Sequence, residues 1–402
     1  MSYIIKSQRI YSDRGLINGG ILVDNDKIKK IITADDLVKY NDINIIDYQN
    51  ARIIPGIIEM HIHGYKGYNA MSPNKDEILN LAKAVTTCGI TAFTPTNHYL
   101  PHILKNHQAI IEAMDTVNDG ARILGIHMEG PFISLERLGS VMPEEVVEPN
   151  LELMQKFYDS AKGRITTVTL APEVSGNKAI IDFCIERGIN VCLGHTNATF
   201  NEAKAAIDQG AIISQKTGNC MRPMHQRDLG VIGAVLLDQR VFNEINSDLR
   251  HTSADFLQLC YNLKGKDKLC IIADEGVMSG MPVGNYNLPD RGAYSVGEDF
   301  LLRDYRNVFD GSTKHSLFGI SNWVEIIKIP MSEAVIMASL NPAKVLKIDH
   351  KKGSIKEKKD ADIVIIDDAY EVIATYVEGK KVYDVKENKS YENPTYLNYI
   401  VK

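Results

Sequence analysis

Pro55-Gly-Ile-Ile-Glu-Met-His-Ile-His-Gly64 is the stretch on which the reading of this 402-residue chain turns. The apolar run over 53–60 predicts a buried strand that ends in two histidines one residue apart. Strand side chains alternate between faces, so His61 and His63 point the same way and can share one ligand. An imidazole pair suits a transition metal such as zinc, although two histidines near a turn are also ordinary polar residues at a strand end. Their context decides between these, because seven later predicted strands also end in polar, chemically capable residues.

Those strands are expected over 90–96, 121–129, 164–173, 189–195, 211–216, 241–248 and 268–274. Helix-like segments over 75–88, 101–117, 152–161, 178–187, 202–209 and 253–263 lie between them, with a weaker one before 241. Eight strands alternating with helices predict a parallel, right-handed (β/α)8 TIM barrel over 55–349, closed by two helical segments after residue 312. The flanks read differently. Strand–turn–strand patterns at 1–54 and 350–385 predict a small β-sandwich built from both ends of the chain, and 386–402 reads as a loosely held polar tail. Barrel chemistry sits where strands end. The residues expected there are His61 and His63, Asn97, Glu129, Glu173, His195, Lys216, Asp248 and Asp274, a set that suits a metal-hydrolase rim.

Composition narrows the class. The chain is 44% hydrophobic and 24% charged, as globular proteins are, and its net charge of -6 argues against nucleic-acid or membrane-surface partners. Met1-Ser-Tyr-Ile-Ile-Lys-Ser-Gln8 lacks a signal peptide's apolar core, and no stretch is apolar for long enough to span a bilayer. Cys88, Cys184, Cys192, Cys220, Cys260 and Cys270 are scattered without CxxC spacing. Buried free thiols in a reducing cytoplasm are the expectation.

Several motifs carry a resemblance, in order and over nearly the whole chain. They are His61-Ile-His63, Gly125-Ile-His-Met-Glu-Gly-Pro131, Leu170-Ala-Pro-Glu173, Gly194-His-Thr-Asn-Ala-Thr199, Asn219-Cys-Met221, Arg227-Asp-Leu-Gly230, Ile272-Ala-Asp274, Gly311-Ser312 and Met337-Ala-Ser-Leu-Asn-Pro-Ala343. Together they resemble the N-acetylglucosamine-6-phosphate deacetylases of the amidohydrolase superfamily. The resemblance implies a hydrolase that removes the acetyl group from an amino-sugar phosphate. It implies one or two divalent ions, zinc first, with iron, cobalt or manganese as alternatives. By position, Glu129 and His195 become metal ligands. Asp274 becomes the group that takes a proton from water and hands it to the leaving amine; an ordinary helix cap is its other reading. Ser140, Asn219, Cys220, Gly311 and Ser312 fall around the sugar, and Arg227 and His251 hold the phosphate. Arg227 reaches a neighbouring subunit in such proteins, which implies a homodimer.

Two departures stand out. Gln215-Lys-Thr-Gly-Asn-Cys-Met221 puts Lys216 where the family has a third metal-binding histidine, and Val141 stands where a histidine helps polarise the scissile carbonyl. A protonated lysine has no lone pair for a metal. Three outcomes are open. The metal can sit nearer the first strand, on His61, His63, Glu129 and Asp274; the Lys216 ammonium can replace a lost positive centre; or deacetylase activity is gone. The alternatives to deacetylation are therefore another amidohydrolase with a changed substrate and a non-catalytic amino-sugar-phosphate-binding protein.

Overall fold

The computed structural model describes residues 2–289, 292–387 and 389–401. The apolar run before His61 proves to be two strands in two different sheets. Arg52–Pro55 pairs antiparallel with Ile363–Ile366 in the small β domain, whereas Ile57–Ile62 pairs parallel with Ile90–Asn97 in the barrel. The switch takes one residue: the Gly56 amide donates to the Asp362 carbonyl at 2.9 Å and the Ile57 amide to the Gly89 carbonyl at 3.1 Å. Both strands are buried, so a continuous apolar pattern could not show the break.

The eight expected barrel strands are all present and parallel. They run in order as Ile57–Ile62, Ile90–Asn97, Ile126–Glu129, Ile165–Leu170, Asn190–Leu193, Ile213–Ser214, Phe242–Asn246 and Leu269–Ile272, with a short preceding piece, Arg122–Ile123, also paired to the second strand. A parallel bridge between Ile62 and Glu275 brings the last strand back to the first. Helices follow where the periodicity placed them, from Lys75–Ala84 to Ala254–Lys264. Ile57, Phe93, Met128, Val168, Ile245 and Ile271 belong to one apolar cluster that also takes in Leu81, Phe157 and Leu257 from the surrounding helices. After residue 312, Ser316–Glu325 and the helical stretch beginning at Met331 complete the ring.

Several strands stop short of their expected ends. The ladders finish at Leu170, Leu193, Ser214, Asn246 and Ile272, so Glu173, His195, Lys216, Asp248 and Asp274 lie in the loops that follow. Those loops, rather than the strands, aim the side chains.

The small domain joins both chain ends in one eight-stranded sheet, with Arg52–Pro55 between Ile363–Ile366 and Ser2–Ser12. Ile5, Ile21, Ile53, Ile363 and Tyr376 share its core. Residues 275–312, without a strand or helix expected from sequence, contain an antiparallel sheet of Gly284–Leu288, Gly292–Val296, Leu301–Arg303 and Phe309–Ser312. The polar C-terminal segment docks on this sheet, contrary to the expected loose tail. The Val401 amide donates to Asn285, that of Asn287 to Tyr399 and that of Asn393 to Lys66, and Lys66 pairs with Glu392 at 2.9 Å. Tyr396 and Tyr399 supply the apolar contact that the polar composition hid.

All six cysteines are free thiols; five are buried and Cys220 is half-buried. Among the described residues no helix is long and apolar enough to cross a membrane.

Gly56 has no room for a side chain, since a Cβ there would meet Thr91 Oγ1 at 2.0 Å and Thr91 Cγ2 at 2.5 Å. Thr91 is itself buried and β-branched, so it cannot swing away. Gly56→Ala is expected to destabilise the chain by about 1–3 kcal/mol, read as a lower midpoint in thermal or urea unfolding. An unchanged midpoint would show that the passage between the two sheets tolerates bulk.

Candidate functional site

The barrel mouth opens into a cleft of about 220 Å3 lined by His63, His98, His195, Lys216 and Asp274 among others. It adjoins a larger one of about 460 Å3, sharing Met71, His98, Ser140, Val277 and Asp310 with it. Glu129 lies at the floor, 2% exposed.

Both oxygens of the Glu129 carboxylate are in use. Oε1 lies 2.8 Å from His195 Nε2 and 2.8 Å from Lys216 Nζ. Oε2 lies 2.7 Å from His98 Nε2 and 3.1 Å from His63 Nε2. Asp274 is divided in the same way, with Oδ1 3.2 Å from His61 Nε2 and 3.5 Å from His63 Nε2, and Oδ2 3.4 Å from Lys216 Nζ. Burial would raise both carboxyls, but Lys216 and the nearby histidines hold them well below the usual carboxylate range. Burial would likewise lower Lys216 and His61. Asp274 and Glu129 outweigh it, keeping Lys216 firmly an ammonium and pushing His61 up to about 10.

Backbone conformation aims three of these side chains. His195, Lys216 and Asp274 have φ of 46°, 39° and 58°, the left-handed region that L residues avoid. Such positions cost on the order of 1–3 kcal/mol each and cluster where function demands a particular direction. Here each follows a barrel strand and turns its side chain into the mouth.

Surrounding groups orient the imidazoles. His61 Nδ1 faces Glu244 Oε2 at 3.3 Å, and His98 Nδ1 faces Glu145 Oε2 at 3.7 Å. In each case the acid on the Nδ1 side directs Nε2 at the centre, where an ion would take the place of the Nε2 proton, an arrangement common to metal-binding histidines. His61 Nε2 and His63 Nε2 stand 3.3 Å apart. Two such nitrogens face one another only across a proton or a cation, so the donor set fits a divalent ion held by imidazole and carboxylate together. His127 also neighbours His61, but both of its nitrogens are occupied. Nδ1 donates to the Met60 carbonyl at 3.1 Å, and Nε2 accepts from the Thr169 hydroxyl at 2.9 Å. Burial, reinforced by His61, pushes it down to about 3, so it is a neutral structural residue.

The structure thus brings together His61, His63, Glu129, His195, Lys216 and Asp274 of the residues expected at strand ends. The other three serve elsewhere. Asn97 donates to Asn106 at 2.9 Å, deep in the protein. Glu173 accepts from the Thr196 hydroxyl and the Asn197 amide, both at 2.6 Å, and so braces the loop that carries His195. Asp248 accepts from His251 Nδ1 at 2.7 Å and from the amides of Arg250 and His251. Of the residues expected around a substrate, Ser140, Asn219, Cys220, His251 and Gly311 line the cleft. Ser312 is fully buried behind it, Val141 is also buried, and Arg227 is exposed on a turn outside it.

His98, one residue beyond Asn97, lies past the strand expected over 90–96, and so nothing in that expectation points to it. Continuing the two-residue alternation from Thr94 and Thr96 would have put it on their side of the strand. Glu244 and Glu145 carried no signal, as each acts only through a histidine distant in sequence.

A family model described as "Amidohydrolase family" matches residues 52–281 and 307–382. The chain is 31% identical to the N-acetylglucosamine-6-phosphate deacetylase of Vibrio furnissii over 83% of each protein. It is 27% identical to the N-acetylgalactosamine-6-phosphate deacetylase of Escherichia coli O157:H7, over 94% of this chain and 99% of that one. The crystal structure of N-acetylglucosamine-6-phosphate deacetylase from Pasteurella multocida superposes with a TM-score of 0.88 at 28% identity, covering 95% of this chain and 99% of the other.

Glu173→Ala removes the acceptor for two groups on the His195 loop. The expected cost is about 1.5–3 kcal/mol, the usual worth of a hydrogen bond to a charged group, measured by denaturant unfolding. A change below about 0.5 kcal/mol would show that the loop is held without it.

Proposed function

The chain belongs to the amidohydrolase family, and from that premise we propose that it hydrolyses the acetamide of N-acetylglucosamine-6-phosphate to glucosamine-6-phosphate and acetate. One observation carries the reading: an ionised Asp274 lies at the mouth beside imidazoles that fit a divalent ion, with the Lys216 ammonium 3.4 Å from its other oxygen.

Amide hydrolysis needs an activated water, a polarised carbonyl and a proton for the departing nitrogen. The residues that would hold the ion are His61, His63, Glu129 and Asp274, joined by His98, with His195 beside Glu129. When bound, a divalent ion, zinc in this reading with iron, cobalt or manganese also suited, supplies Lewis acidity and brings water to a pKa near ~7. Asp274 accepts the proton of the attacking water on its carboxylate and returns it to the amine nitrogen as the C–N bond breaks. Lys216, fixed by Glu129 and Asp274, offers a buried positive charge to the oxygen on which negative charge develops.

Binding of the sugar phosphate falls to the cleft wall. The Asn219 side-chain amide nitrogen is buried without a partner among the described residues, and it is placed to donate to a sugar oxygen. Ser140, Cys220 and Gly311 stand around it. His251 has Nδ1 tied to Asp248, which leaves its other nitrogen for the phosphate. Arg227 does not reach its own cleft, so in this reading it meets the phosphate of a second copy in a homodimer. A reducing cytoplasm suits the six free thiols.

With N-acetylglucosamine-6-phosphate, the wild-type chain is expected to release acetate and a free amine. Asp274→Asn should lower turnover by at least about 100-fold. Absence of acetate release from this sugar and from its galacto epimer, in metal-supplemented protein, would overturn the reading.

A further inference from the structure

Each of the two carboxylates at the centre has one oxygen beside Lys216 and one that meets imidazole alone, and the inference drawn from this rests on, and specifies, the hydrolase reading above. One oxygen of each faces Lys216: Glu129 Oε1 at 2.8 Å, which also lies 2.8 Å from His195 Nε2 and 3.6 Å from His61 Nε2, and Asp274 Oδ2 at 3.4 Å. The other oxygen of each faces imidazole nitrogens, with Glu129 Oε2 against His63 and His98 and Asp274 Oδ1 against His61 and His63. We propose that the chain holds a single divalent ion, ligated by His61, His63 and His98 with the imidazole-facing oxygens of Glu129 and Asp274, and that the Lys216 ammonium takes the place of a second ion.

Three features of the chain argue for this. Lys216 offers protons and no lone pair, so the space between Glu129 Oε1, Asp274 Oδ2 and His195 cannot hold a cation as well. On that side His195 is a hydrogen-bonding neighbour of Glu129. On the other side His98 adds a third imidazole to the pair from the first strand. It is built for the role, with one nitrogen 2.7 Å from Glu129 and the other toward Glu145. Charge gives the third reason. One divalent ion and Lys216 place three positive charges against Glu129, Asp274 and the buried Glu244 carboxylate behind His61. Two ions and Lys216 would place five against the same three.

Elemental analysis of the purified, zinc-supplemented and dialysed protein is expected to give one ion per chain. Lys216→His should raise that number toward two. His98→Ala should weaken the retained ion by at least about 10- to 100-fold, the loss that even an outer partner of a ligand causes, as measured by competition with a chromophoric chelator. Replacing the ion with cobalt gives a second readout, since losing an imidazole ligand changes its visible absorption. Thermal unfolding of the metal-free forms, together with His98→Gln, separates a lost ligand from a misfolded chain. Two ions in the wild-type protein, or wild-type metal affinity in a folded His98→Ala, would overturn the single-ion centre and leave the deacetylase reading standing. One ion without acetate release would do the reverse.

Discussion

The Glu129 carboxylate, buried at the base of the mouth, imposes the constraint that organises the rest. Removing an ion from water costs several kcal/mol, and the chain offsets this by meeting each oxygen with donors. His63, His98, His195 and Lys216 come from the ends of the first, second, fifth and sixth barrel strands. No local segment could assemble them. The carboxylate is tolerable only once the parallel sheet has closed, so barrel and site are consequences of one another.

Beyond that centre, acids of the same type take a different part. Glu244 faces His61, Glu145 faces His98, Glu173 braces the loop after His195, and Asp248 sets the ring of His251. A carboxylate that meets a single histidine or backbone amide positions it; one that meets several cationic groups at once becomes the centre. Number and direction of partners separate the two classes, and residue type does not.

At residue 216 the lysine brings a cation without a lone pair into a mouth otherwise built of imidazole and carboxylate. The left-handed φ of 39° at Lys216 turns its ammonium inward instead of letting it reach for solvent. The long side chain ends between the two acids, where charge attracts charge. His98 stands near the other oxygen of Glu129, on the side that Lys216 leaves to imidazole.

Periodicity alone specified the alternation of strand and helix, the shared direction of His61 and His63, and the pairing of both chain ends in one β domain. Each follows from side-chain direction repeating every two or about 3.6 residues. The departure at residue 216 was legible only against the family that the motifs resemble. Tertiary structure alone decided that the run before His61 divides between two sheets, that His98 joins the centre, and that Glu173 and Asp248 serve as braces. It also decided that the C-terminal segment docks near the loop following His63. The reason is geometric: pattern along the chain records which way a side chain leaves its strand, whereas what it meets depends on barrel closure and on a few backbone torsions just past the strand ends.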